Sequence, residues 1–450
     1  GNIESTYLGQ GRGVIHETKA QDDMLAAVSK AAHTIRTPLE VSATLRRAAA
    51  EALAAPTGPV SVEVPIDLQY APEPASVSVP TDEWTRPAAI FGDFEQAAAM
   101  LADAERPLLW AGGGAIAARK DIADFCRRHG IPVFTSNAGR GVLPETDPLV
   151  IGNFAATDGG QRLLEQADLL LSIGTHFRSN ETRHYKLRMP ARHIQIDVDP
   201  AALGRVYPCD VGLTGEAQAV LRALEEQQPR HSAEAAAGRR ATWLEAAVET
   251  RAEVRRGLEL AIGPYSELCR AMRSVLPDDA PLVRDVTIPS SSWGNRLLTV
   301  TDATTNVNAR GGGIGQGLGM AIGAAAARPG APTSLMVGDG GLMVHLGELA
   351  TVAQEQPWLV MIVFNDGGYG VLRNLQDAHF AHRSGVDLAN PDFARLASAF
   401  DFTYERLAEP SSALAVLERS VARRSPVLVE VDCTDFGPMT VPFVPPVPVH

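Results

Sequence analysis

The sequence predicts an α/β protein of three doubly wound parallel-sheet domains, the first of them incomplete. Short apolar runs alternate with helical patterns from end to end, the rhythm of parallel strands joined by crossover helices. Most of these runs lead into a glycine or a turn, such as Gly112-Gly113-Gly114 and Gly174. A chain of 450 residues has room for two to four such domains at roughly 100–200 residues each.

The first segment spans 1–72. Asp22–Ser29 and Pro38–Ala54 read as helices, and Pro59–Pro65 as a strand stopped by its proline. Pro72–Pro87 follows as a linker rich in Pro, Ser and Val, with polyproline II character. The second segment, 88–225, places strands at Pro107–Ala111, Pro132–Thr135, Leu169–Ile173 and His193–Asp197, with helices such as Lys120–His129 between them. Residues 226–261, rich in Ala, Glu and Arg, read as a polar, exposed helical connector. The third segment, 262–437, places strands at Pro281–Val286, Ser334–Val337, Leu359–Asn365 and Pro426–Asp432. Its helices are Gly317–Ala327 and Met343–Glu355.

Composition narrows the function classes. Hydrophobic residues make up 45% of the chain and charged residues 21%, as in ordinary globular proteins. The net charge of −13 and the lack of a long basic run argue against a nucleic-acid surface or an anionic membrane partner. No apolar run approaches the roughly 20 residues of a membrane span. Cys126, Cys209, Cys269 and Cys433 lack metal-ligand spacing, and reduced thiols in a cytoplasm are expected. The N-terminus is not a signal peptide and has no initiator Met.

Two acidic residues end apolar runs and lead into glycines: Gly338-Asp339-Gly340-Gly341 and Asn365-Asp366-Gly367-Gly368. In open α/β sheets ligands bind at the carboxyl ends of strands. Glycines there admit a phosphate close to the backbone and to a helix N-terminus. A carboxylate would repel that phosphate unless a hard divalent cation bridged them. A single Gly-Asp-Gly is more often a capped turn, but two at one sheet edge point to a metal and a diphosphate. The run Gly311–Gly319 fits cofactor contact and tight helix packing equally. The hydroxyls of Asp285–Ser292 could hold a diphosphate or cap a helix. Gly112-Gly113-Gly114 lacks dinucleotide spacing and reads as packing, and His176, His184 and His193 as solvated or core residues.

With these motifs the chain resembles thiamine-diphosphate-dependent enzymes, in the group holding acetolactate synthase, benzoylformate decarboxylase and related 2-oxo-acid decarboxylases. The resemblance covers essentially the whole chain. It rests on Gly338-Asp339-Gly340, Glu348–Thr351, Asn365 and Tyr369-Gly370, with Ile131–Val133 and Ile196–Pro200 in the middle and Gly58–Val60 and Val64-Pro65 near the start. It implies that 1–72 is the C-terminal half of a pyrimidine-binding domain, 88–225 a central Rossmann-like domain, and 262–437 a diphosphate-binding domain. It further implies that Asp339, Asp366 and the Gly368 carbonyl hold Mg²⁺. Gly340 and Gly341 would meet the diphosphate, with Thr287 and Ser290 on its far side. Gly315, Gln316, Tyr369, Gly370 and Val371 would line the pyrimidine and thiazolium.

Some positions depart from the family pattern. Asp366 stands where relatives carry Asn, Gln316 where they often carry a bulky apolar residue, and Leu375 where acetolactate synthases carry Trp. Asn153–Ala155 and Phe177–Asn180 match the flavin positions of acetolactate synthases only loosely, which puts FAD in doubt. The family's catalytic glutamate would fall upstream of Gly1, so the catalytic residue is unknown from this sequence. The expectation is a cytoplasmic homodimer or homotetramer using thiamine diphosphate and Mg²⁺ to decarboxylate a 2-oxo acid and add the product to a second carbonyl, as acetolactate synthase does. The alternatives are a benzoylformate-type decarboxylase and a non-catalytic subunit of such an enzyme.

Overall fold

The computed structural model describes residues 3–72, 89–227 and 238–443, which fall into two compact units. The linker expected at Pro72–Pro87 lies, beyond Pro72, outside the described residues.

The first unit comprises Gly1–Phe91 with the short stretches Val198–Pro200 and Thr214–Glu216. Two parallel strands, β1 (Ala31–Thr34) and β2 (Val60–Glu63), pair from Ala31–Val60 to Thr34–Glu63. The helix Val41–Leu53 crosses between them, and Gln21–Val28 precedes β1. Strand β1 was not expected, because Ala-Ala-His-Thr carries little β-branched or aromatic signal. Glu63 is buried, and its carboxyl lies above the usual range through burial and the neighbouring Asp22. Gln21 Nε2 donates to it at 2.5 Å and Thr34 Oγ1 at 3.1 Å.

The second unit holds two six-stranded sheets. In the first, β3 (Pro107–Ala111), β4 (Val133–Thr135), β5 (Val150–Gly152), β6 (Leu169–Ile173), β7 (His193–Asp197) and β8 (Val211–Thr214) lie in the order β5-β4-β3-β6-β7-β8. This is the doubly wound order, in which the chain reverses beside β3. The pairs β3–β4, β3–β6, β4–β5 and β6–β7 are parallel. At that reversal Gly112 must be glycine: a Cβ would lie 2.0 Å from the Gly174 carbonyl oxygen. The packing reading of this glycine run therefore fits the geometry.

The second sheet contains β9 (Leu282–Arg284), β10 (Asn306–Asn308), β11 (Thr333–Gly338), β12 (Leu359–Asn365), β13 (Thr403–Leu407) and β14 (Val427–Asp432), in the order β10-β9-β11-β12-β14-β13 with all pairs parallel. Both faces of β12 are buried. Val360, Ile362 and Phe364 join one apolar cluster with Met272, Trp293 and Leu417, while Leu359, Met361 and Val363 join another with Leu318, Leu335 and Phe393. That two-sided burial is why the strand is one unbroken apolar run. The edge strands β10 and β13 are polar and were not anticipated for that reason. The helix expected at Met343–Glu355 is broken: Asp339–Val344 ends at His345, a 3-10 turn follows, and Leu349–Glu355 resumes. No helix among the described residues is long and apolar enough to cross a membrane.

The exposed connector is the main correction. Within 226–261, residues 228–237 lie outside the described residues, but the helix Ala241–Ile262 buries Trp243, Ala247, Val254 and Ile262 along one face. Arg240, at its N-cap, is fully buried. Its guanidinium donates to the carbonyls of Leu101, Ala104 and His129 at 2.6–3.1 Å, the carboxyl ends of helices Phe94–Asp103 and Arg119–His129. A cation there satisfies carbonyls that lack helical partners and complements both helix dipoles. Arg251 and Arg255 on the same helix donate to the carbonyls of Val150 and Leu297. Residue types alone read as a polar helix, but its apolar residues share one buried face and its arginines reach backbone carbonyls of other segments.

His129 stacks on Phe125, with ring centroids 4.4 Å apart. Burial, Arg240 and Arg128 push its imidazole down to about 4. The unfolded chain takes up that proton near 6.5, so acidification from about 6.5 to about 4 favours unfolding by on the order of 3 kcal/mol. His129→Leu should flatten this limb of the stability–pH curve in denaturant titrations. Identical limbs in both proteins would contradict a buried neutral ring.

Candidate functional site

The register of β11 and β12 places Gly338 opposite Phe364, so the residues that follow each strand emerge side by side. Asp339 begins the helix Asp339–Val344 and is buried. Its Oδ1 accepts from Gly340 N at 2.8 Å, and its Oδ2 accepts from Gly368 N at 2.9 Å and Asn390 Nδ2 at 2.6 Å. Asp366 Oδ1 also accepts from Gly368 N, at 3.1 Å. Burial raises the Asp339 carboxyl above its ordinary range. Burial and the charge of Asp339 push Asp366 up to about 6. Two carboxylates at one pocket, one of them raised by the charge of the other, suit a cation between them.

Backbone geometry here leaves no room for side chains. A Cβ on Gly340 would meet the Tyr369 ring at 2.7 Å, and one on Gly370 would sit 2.1 Å from Asp366 Oδ2. A Cβ on Gly368 would meet the Val386 carbonyl oxygen at 2.3 Å and Arg373 Nη2 at 2.4 Å. The turn after β12 is clamped from outside. Arg373 donates to the carbonyls of Asp366 and Gly367 at 2.6 and 2.5 Å, and pairs with Asp387 at 2.7 Å. Leu388 N also donates to Gly367 O, and Tyr369 N to Val386 O. The carbonyls of Asp366 and Gly367 are thus engaged on the Arg373 side, whereas that of Gly368 has no recorded hydrogen bond among the described residues.

These residues line a cavity of about 550 Å³. Of the positions singled out from the sequence, Thr287, Asp339, Gly340, Gly341, Asp366, Gly368, Tyr369, Gly370 and Val371 border it. Ser290, Gly315 and Gln316 do not. Ser290 Oγ is buried without a hydrogen-bond partner among the described residues. Gly315 adopts φ +90° at the N-cap of the helix Gln316–Ala327, and Gln316 Nε2 bonds to Gly313 O at 2.9 Å. The cavity wall in that stretch comes instead from Gly312 and Ile314.

Three contributors escaped the sequence reading. Asn390 bridges Asp339 and Asn365, with Nδ2 to Asn365 Oδ1 at 2.9 Å. Asn390-Pro391 signals a turn but not this role. Asp285, rather than a nearby hydroxyl, caps the helix Gln316–Ala327 by accepting from Gly315 N at 2.8 Å. The outer wall, largely apolar, includes Tyr265, Ile288, Leu372, Met439 and Phe443 from four separate segments. No local pattern reveals such a wall.

Gly368→Ala should destabilise the protein by about 1–3 kcal/mol, since its methyl meets a backbone oxygen. Gly319→Ala, whose Cβ would meet nothing within 4 Å, serves as the contrast. Thermal unfolding of the two variants checks this, and equal melting temperatures would contradict the packing at Gly368.

Comparison with known proteins agrees with this architecture. The family described as "Thiamine pyrophosphate enzyme, central domain" matches residues 94–224, and "Thiamine pyrophosphate enzyme, C-terminal TPP binding domain" matches residues 289–431. The chain is 32% identical over 411 residues to a probable 2-ketoarginine decarboxylase of Pseudomonas aeruginosa, covering 88% of this chain and 70% of that protein. It is 27% identical over 450 residues to a probable acetolactate synthase large subunit of Methanocaldococcus jannaschii, covering 93% and 73%. It is 29% identical over 402 residues to the acetolactate synthase isozyme 2 large subunit of Escherichia coli, covering 86% and 70%. The carboxylate-and-glycine edge of the second sheet falls inside the match to the cofactor-binding domain, and the chain belongs to the thiamine-diphosphate-dependent enzyme family.

Proposed function

We propose that this protein works with thiamine diphosphate and Mg²⁺ on a 2-oxo acid, removing CO₂ and then either protonating the product or joining it to a second carbonyl compound. The observation that carries this reading is the pair Asp339 and Asp366 facing one glycine-lined cavity at adjacent strand ends. Both kinds of relative, a 2-oxo-acid decarboxylase and acetolactate synthases, are consistent with it.

The donor set fits the proposed groups. No cluster of three His, Cys, Asp or Glu side chains among the described residues could hold a metal unaided. Two carboxylates and the Gly368 carbonyl leave coordination places for diphosphate oxygens and water, as Mg²⁺ prefers. Gly340 and Gly341 would let the diphosphate approach the backbone, and Thr287, beside Gly338, borders the same cavity. Tyr369, Gly370 and Val371 would flank the organic rings. Bound thiamine diphosphate supplies an electron sink for decarboxylation. The chain's own residues orient the metal carboxylates through Asn390 and Gly368 N–H, and keep water from the apolar outer wall. Leu375, in the place of the acetolactate synthase Trp, favours simple decarboxylation as the second reading. We further propose a homo-oligomer, a domain division at 1–72, 88–225 and 262–437, and a cytoplasmic location.

Calorimetric titration of thiamine diphosphate with and without Mg²⁺ tests the reading. Binding should require the metal and fall by at least about 100-fold in Asp339→Ala, the loss expected for a charged ligand. Equal affinity in that variant would overturn the metal assignment. Because Mg²⁺ competes with the proton held by Asp366 near pH 6, its affinity should weaken below that pH. A flat profile from pH 5 to 8 would contradict this role for Asp366.

A further inference from the structure

Behind the segment that walls the apolar cavity lies a second cavity of about 420 Å³. Met439, Pro442 and Phe443 border both spaces. This segment is held from two sides: Asn374 Nδ2 donates to Phe443 O at 2.7 Å, and Val441 N donates to Ala261 O at 2.9 Å. The same short stretch of chain therefore borders two chambers.

Their linings differ in chemistry. The first carries Asp339 and Asp366 at its base and apolar side chains outward. The second carries Arg183, Arg296, His184 and Asn180 and, among the described residues, no carboxylate. Arg183 is partly engaged, with Nε on Ala156 O at 2.8 Å and Nη2 on the exposed Asp158 at 2.6 Å. Arg296 makes no ion pair among the described residues. Burial and the neighbouring Arg183 hold its guanidinium below its usual basicity, and only Glu181 opposes them. Glu181 does not border the cavity, and it accepts from Asn137 N. Two guanidiniums brought together in a partly buried cavity without a lining carboxylate are stabilised by an anion that reaches both. A carboxylate matches the planar fork of arginine.

We propose that this second cavity binds the carboxylate of small 2-oxo acids, with Arg296 as the main anchor and Arg183 as the second cation. The site lies against the reaction cavity, so a molecule held here waits one thin wall from the cofactor chamber. Binding of a carboxylate follows from the cavity alone. Its identity as a 2-oxo acid rests on the function proposed above.

The test is calorimetric titration of sodium pyruvate into the full chain, without thiamine diphosphate and in low-chloride buffer. Pyruvate should bind saturably, about tenfold or more weakly to Arg296→Met, with part of the affinity kept by Arg296→Lys. Asp339→Ala should bind pyruvate as the parent does, and methyl pyruvate, which lacks the charge, should not bind. Arg183→Gln, at a half-exposed side chain, should also weaken binding and gives an independent reading if Arg296→Met lowers the melting temperature. The proposal is overturned by absence of saturable binding, by equal pyruvate affinity in parent, Arg296→Met and Arg183→Gln, by equal binding of the ester, or by loss of binding in Asp339→Ala. Arginine-dependent pyruvate binding without any metal-dependent cofactor binding would sustain this site and sink the proposed function. The opposite pair of results would sink this site alone.

Discussion

Asp339 and Asp366 stand at the ends of neighbouring parallel strands, and their mutual repulsion in a buried pocket is the constraint to which the surrounding structure answers. Charges that close, away from bulk water, interact far more strongly than on a surface. The fold meets this with directed donors: the N–H groups of Gly340 and Gly368, the Asn390 amide, and the Arg373 guanidinium behind the turn. Glycines at 340, 368 and 370 are the consequence, since each is pressed against a ring, a carbonyl or a carboxylate oxygen. A divalent cation would relieve the repulsion that these donors only moderate.

A site built on backbone turns needs a rigid frame. The sheet beneath it is buried on both faces, so neither β11 nor β12 can slide without exposing one apolar cluster or the other. Arginines tie this sheet to its neighbour within the same unit. Arg140 is fully buried, forms a two-pronged pair with Glu145 and donates to the carbonyl of Gly294, while Val300 N donates to Glu145. Arg251 and Arg255 make comparable links from the helix Ala241–Ile262. Guanidinium suits this work because one planar group reaches several carbonyls in different segments.

The walls around the carboxylates show how the chemistry of one edge is divided. The glycines and acids hold the polar end, and side chains from distant segments close the apolar end. The stretch Met439–Phe443 is shared with the cationic chamber behind it.

The sequence by itself determined the α/β class, the central strands and the acidic residues of the site. Leu169–Ile173 and Leu359–Asn365 were legible to the residue because two-sided burial demands nearly continuous apolar runs, and His193–Asp197 through its alternating isoleucines. Polar edges such as Asn306–Asn308 and Thr403–Leu407 left no such trace. Asp339 and Asp366 were legible because strand, acid and glycine are contiguous. Tertiary structure alone decided which acceptors Asn390, Arg373 and Arg240 would meet, that Gly315 and Gln316 would stand away from the cavity, and that the tail would wall it. Those outcomes depend on contacts between residues far apart in the chain, and a lone polar side chain carries no periodic signal of the partner that folding brings to it.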